Sequence, residues 1–183
     1  VHAKRRHEEI ELVNQMLRNS GIEPLMSIAT ERSHFRTLAS GATRPGGPVP
    51  TLEEALQILA DEVAELVRLG CEYIQFDAPE FGMLLDDHQK EWFRAKGFRP
   101  EYMVHDGIDM LNGIIAAHPE TVFGLHICRG NDANRYMAKG GYGEFAKQIF
   151  TRSRAQRLLL EYDDERSGDF APLAEVPDDR FVV

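Results

Sequence analysis

His126 and Cys128 stand two residues apart in an apolar run, His126-Ile127-Cys128, of strand length. A two-residue period puts both side chains on one face of a strand. An imidazole nitrogen and a thiolate sulfur make a zinc-type donor pair. Taken alone, such a pair more often marks a packed histidine beside a small buried thiol. Glu161, at the end of the next apolar run, supplies a carboxylate at the matching place and turns the reading toward a metal. Asp77 ends an earlier run, directly before Ala78-Pro79-Glu80. An aspartate there either bonds the amides of a turn or offers its carboxylate to a ligand.

These residues need elements that bring them to one place, and the periodicity supplies candidates. Residues 4–19 read as a helix with Ile10, Val13, Met16 and Leu17 on one face, and residues 25–29 as a short strand. Residues 40–50 hold three glycines and three prolines and read as loop. Thr51 with Glu54 forms a capping box ahead of a helix carrying Leu52, Leu56, Leu59, Val63, Leu66 and Val67, which Gly70 ends. Strands are expected at 71–77, 121–128, 157–161 and 181–183, with helices at 102–117 and 142–150.

Strands alternating with helices predict parallel pairing in an α/β fold. Neither a G-x-G-x-x-G nor a G-x-x-x-x-G-K-[ST] phosphate loop occurs, which points away from a nucleotide fold. A TIM-type (β/α) barrel fits better. A complete one takes eight strands and about 250 residues, so 183 residues with five countable strands predict an incomplete barrel, read as a single domain over 1–183. Chemistry on such a barrel belongs to the carboxyl ends of the strands, where Asp77, His126, Cys128 and Glu161 all fall.

Composition narrows the partners. A formal net charge of −9 argues against nucleic acid, whose phosphates call for a basic face. No run reaches the roughly 18 apolar residues of a membrane span. Two cysteines make no disulfide framework, so a reducing cytoplasm is expected. The chain opens on Val1 and closes on apolar Phe181-Val182-Val183, the pattern of an excerpt from a longer protein.

Other motifs have plainer readings. Lys4-Arg5-Arg6 suits a solvated helix end, and Cys71 a buried, inert thiol at a strand start. Gly140-Gly141-Tyr142-Gly143 reads as a flexible turn ahead of a helix, and Asp163-Asp164-Glu165 as a solvated acidic loop.

Three segments occur in a telling order: Leu69-Gly70-Cys71-Glu72-Tyr73-Ile74-Gln75-Phe76-Asp77-Ala78-Pro79, then Leu125-His126-Ile127-Cys128-Arg129-Gly130-Asn131, then Leu160-Glu161-Tyr162-Asp163-Asp164 with Gly168-Asp169-Phe170 beyond. From about Thr51 onward the chain resembles the catalytic domain of cobalamin-independent methionine synthase, above all its short, single-barrel, methionine synthase II-like relatives. The resemblance implies a (β/α) barrel with one zinc ion, held through positions matching His126, Cys128 and Glu161. It also implies that Asp77 contacts the amino group of the substrate. The family's second, distant cysteine has no match here and is expected beyond Val183, as is the loop carrying the proton donor.

The implied reaction is methyl transfer from a methyl-folate donor to homocysteine, giving methionine. A free thiol is mostly protonated at neutral pH, and zinc coordination deprotonates it while leaving it nucleophilic. The expected partners are a small-molecule thiol and the folate donor, with neither nucleic acid nor a membrane. Three alternatives stay open: alkyl transfer to another thiol such as coenzyme M, a metal-binding barrel without catalysis, and a zinc-free decarboxylase on the related porphyrin-processing barrel.

Overall fold

The structure is a computed structural model that describes residues 26–28, 52–130 and 136–183. The helix expected at 4–19, the loop at 40–50 and Thr51 of the capping box lie outside the described residues. The chain divides into two compact units, Val1–Phe76 and Asp77–Val183.

In the first unit, β1 (Met26–Ile28) pairs in parallel with β2 (Tyr73–Asp77, whose last residue begins the second unit), Met26 opposite Ile74 and Ile28 opposite Phe76. Helix α1 (Leu52–Arg68) precedes β2 and buries Val63 and Leu66. Gly70, at φ +89°, turns the chain out of the helix, a conformation that costs glycine little. Alternation along β2 buries Ile74 and Phe76, with Gln75 and Asp77 on the other face only half-buried.

The second unit holds three parallel strands. These are β3 (Val122–Ile127), β4 (Arg157–Leu160) and β5 (Phe181–Val182). β3 pairs with β4 from Gly124–Arg157 to Ile127–Leu160, and β4 with β5 from Arg157–Phe181 to Leu158–Val182. Four helices accompany them among the described residues: α2 (Pro79–Met83), α3 (Asp87–Ala95), α4 (Pro100–Ala116) and α5 (Gly143–Arg152). Among the described residues the expected strands and helices are therefore observed, within a residue or two at each boundary. Every pairing described within the units is parallel, so the class is α/β; barrel closure is not among what the described residues show.

Helices α2 and α3 have no counterpart in the sequence reading, which took Pro79 only as a strand stop. Proline is equally suited to the first turn of a helix, and Pro79 opens α2. Asp86 caps α3: its Oδ1 accepts from the backbone N–H of His88 and Gln89, and its Oδ2 from that of Lys139. Two short 3₁₀ turns, Glu165–Ser167 and Ala171–Glu175, fill the link to β5.

The core of this unit joins Phe123, Leu125 and Ile127 of β3 to Leu158 of β4, Phe81 of α2, Val104 and Ile108 of α4, and Ile149 and Phe150 of α5. Each is buried, and each such side chain contributes about 1.5–3 kcal/mol. Two glycines permit backbone to approach backbone closely. A Cβ at Gly82 in α2 would overlap the Cys128 carbonyl oxygen, and one at Gly140 would overlap that of Leu85. Asn112 ties α4 to the end of α5, donating to the Arg152 carbonyl at 2.8 Å and accepting the Arg154 N–H at 2.7 Å. No described helix is long and apolar enough to cross a membrane.

Candidate metal centre

Alternation along β3 decides which side chains are left for chemistry. Phe123, Leu125 and Ile127 go into the core. His126 and Cys128 therefore leave the opposite face together at the carboxyl end. Within the same unit, the Ala78 N–H donates to the His126 carbonyl at 2.8 Å. That bond sets Asp77 beside the imidazole.

His126 lies between two carboxylates. Its Nδ1 is 2.9 Å from Asp77 Oδ1, and its Nε2 is 3.9 Å from Glu161 Oε1. All three side chains are half-buried, whereas Cys128 is only 8% exposed. Glu161 stands just past the end of β4 and is itself held, its Oε2 accepting the Arg129 N–H at 2.8 Å. One donor atom each from Asp77, His126 and Cys128 lies within 4.8 Å of the others. The structure thus gathers the four expected residues at one rim. Among the described residues the three-residue group whose donor atoms converge is Asp77, His126 and Cys128, while Glu161 approaches from the Nε2 side of the histidine.

The electrostatics follow from burial and negative neighbours. The Asp77 hydrogen bond, opposed by partial burial, raises the His126 pKa above its ordinary value. Burial pushes the Cys128 thiol up to about 11; the charges of Asp77 and Glu161 add to this, against the Gly130 N–H that donates to Sγ at 3.4 Å. Without a cation, Cys128 is a protonated thiol at neutral pH. Glu80, half-buried in α2, is pushed up to about 7, chiefly by burial, with Asp77 contributing. Cys71 is buried in the first unit, its Sγ 3.1 Å from the Tyr73 carbonyl and its pKa raised by burial, as suits an inert thiol.

The donor set suits zinc. In Asp77, His126 and Cys128 a carboxylate oxygen, a nitrogen and a sulfur lie within 4.8 Å of one another, and ligand atoms about 2.0–2.3 Å from one tetrahedral ion stand roughly 3.3–3.7 Å apart. The 3.9 Å between His126 Nε2 and Glu161 Oε1 is close to that spacing. Asp77 on Nδ1 corresponds to the carboxylate that commonly orients a metal-binding histidine.

Sequence reasoning missed the groups behind this rim. Tyr142 is fully buried, although it sits in the turn read as flexible. Arg129 is also fully buried; its guanidinium lies 4.4 Å from the Tyr142 ring centre, and its side-chain nitrogens have no hydrogen-bond partner among the described residues. The signal available was Tyr142 itself, a large aromatic among three glycines directly before a helix.

Comparison with known proteins adds a direction. No family model matches the chain. "Uncharacterized protein YxjH" of Bacillus subtilis (strain 168) is 37% identical over 105 residues, 57% of this chain and 28% of that protein. "Uncharacterized protein YxjG" of the same organism is 36% identical over 108 residues, 58% of this chain and 29% of that protein. The chain spans less than a third of the length of these relatives. Among solved structures it is similar to the "Putative Vitamin-B12 Independent Methionine Synthase" of Listeria monocytogenes. That match has a TM-score of 0.53 and 26% identity, and covers 71% of this chain and 35% of the other.

Proposed function

We propose that this chain carries the zinc-binding part of an enzyme that transfers a methyl group to a thiol, with homocysteine as acceptor and a methyl-folate as donor. The observation that carries the reading is the convergence of Asp77, His126 and Cys128, with Glu161 3.9 Å from the histidine, at the carboxyl ends of the strands. The Listeria neighbour's name supports the reaction class. His126, Cys128 and Glu161 are the residues that would hold zinc. When bound, zinc would keep a substrate thiol deprotonated and nucleophilic at neutral pH. Asp77 supplies negative charge at the rim for the amino group of the acceptor, and its contact with His126 Nδ1 at 2.9 Å orients the ring. Asp77, His126 and Glu161 are only half-buried, so each side chain keeps some exposure to solvent.

A second reading, metal binding without transfer, is favoured by one feature: the Asp77 carboxylate assigned to the substrate is already engaged by His126. The two readings part in one experiment on the intact protein. Metal analysis should find about one zinc per chain, and methyl transfer should require homocysteine together with a methyl-folate. Zinc without transfer to homocysteine or coenzyme M would leave the binding reading alone, and no zinc at all would remove both.

A further inference from the structure

The turn at Gly140-Gly141-Tyr142-Gly143 places one hydroxyl at a decisive point. The paired register of β3 and β4 ends at Ile127 and Leu160. Immediately beyond, the Tyr142 hydroxyl donates to the Ile127 carbonyl at 3.3 Å and accepts the Glu161 N–H at 2.9 Å. Ile127 is flanked by His126 and Cys128. One oxygen therefore links the backbone carrying two candidate donors to the backbone carrying the third. A second link closes the loop, because Glu161 Oε2 accepts the Arg129 N–H.

The ring of Tyr142 is fixed independently of its hydroxyl. It lies 5.0 Å from the Tyr162 ring and 6.1 Å from that of Phe150. The buried Arg129 guanidinium covers it as well. A ring held this firmly makes its oxygen a rigid spacer, and both bonds it forms go to the two strands rather than to solvent.

We infer that Tyr142 is a positioning residue for the donor set, its hydroxyl setting the distance between the His126–Cys128 strand and Glu161. This rests on the metal reading above. Outer hydrogen-bond partners of metal ligands typically change affinity by roughly 10-fold to 100-fold. The variant that isolates the oxygen is Tyr142→Phe, which keeps the ring and its stacking.

The test is a Co²⁺ titration, read by its visible absorption, on the intact protein and on Tyr142→Phe, with circular dichroism to confirm the fold. The expected result is Co²⁺ affinity lower by roughly 10-fold or more in the variant. Phe150→Leu, which loosens the same aromatic packing without touching the hydroxyl, should bind Co²⁺ as the parent does. Equal affinity in the parent and Tyr142→Phe overturns the inference and leaves the metal reading standing. An equal loss in Phe150→Leu overturns it as well, by reducing Tyr142 to packing. No Co²⁺ binding by the parent overturns both. Hydrogen exchange at the Glu161 amide checks the bridge in the unmutated protein: protection supports it, and free exchange sinks it.

Discussion

His126 Nδ1 lies 2.9 Å from Asp77 Oδ1. A carboxylate against Nδ1 favours a proton on that nitrogen, and Nε2 is then the ring atom on the side of Glu161. Asp77 thereby has two possible duties, orienting the ring and meeting a cationic substrate group. Asp77→Asn separates them, because an amide oxygen still accepts from Nδ1 while the charge is gone. Binding of homocysteine to the metal-loaded protein should weaken more than binding of a thiol lacking the amine, measured side by side by calorimetry. Equal weakening of the two thiols would restrict Asp77 to holding His126.

The close approach of α2 to the end of β3 makes a second prediction. A Cβ at Gly82 would meet the Cys128 carbonyl oxygen, which is backbone and cannot swing away. Gly82→Ala should therefore destabilise the protein by about 1–3 kcal/mol. Gly113, on the exposed side of α4, has nothing within 4 Å of its would-be Cβ. Gly113→Ala should stabilise by about 0.5–1 kcal/mol. Denaturant unfolding of the pair tests the packing directly, since two identical chemical changes should give shifts of opposite sign.

The strands were readable because each is a short apolar run whose alternation survives burial: Phe123, Leu125 and Ile127 go inward, His126 and Cys128 do not. Their order also fixed which end of each strand bears polar side chains. What could not be read was contact between distant segments. Nothing local ties Tyr142 to Ile127 and Glu161, which lie 15 and 19 residues away. The Asp77–His126 pair likewise exists only once the Ala78 N–H has met the His126 carbonyl. Helices α2 and α3 were obscured for a different reason. Pro79 is compatible with a strand end and a helix start alike, and the capping role of Asp86 depends partly on Lys139, far along the chain.

Glu80 provides a pH dependence with a definite sign. Its carboxyl is raised from 4.5 to about 7 in the folded protein, first by burial and then by the charge of Asp77. Between those values the folded state holds a proton that the unfolded chain has released, so stability falls as pH rises through the window. Glu80→Gln removes this dependence. Above pH 7 the variant should exceed the parent in stability by at most about 3 kcal/mol, and near pH 4 the two should match apart from the amide's own contacts. Thermal or denaturant unfolding at pH 4, 5.5 and 8 measures the slope; parallel curves for the two proteins would mean that Glu80 ionises as an exposed carboxyl does.

The last prediction concerns the metal and the thiol together. His126, Cys128 and Glu161 bring one nitrogen, one sulfur and one oxygen to the rim. X-ray absorption on the zinc-loaded intact protein should therefore report mixed light-atom and sulfur ligation rather than an all-sulfur site. Cys128→Ser should lower the sulfur count by one, and His126→Ala should cut zinc affinity steeply, because each removes a donor rather than a supporting contact. Glu161→Gln preserves size and the Arg129 N–H bond while removing the charge, so its loss of affinity should be smaller than that of His126→Ala. Adding the acceptor thiol should raise the sulfur count at zinc by one, since activation of a thiol by this ion requires direct coordination. A count that stays constant with homocysteine and with coenzyme M would identify a structural metal, and thiol alkylation at this rim would have to be given up.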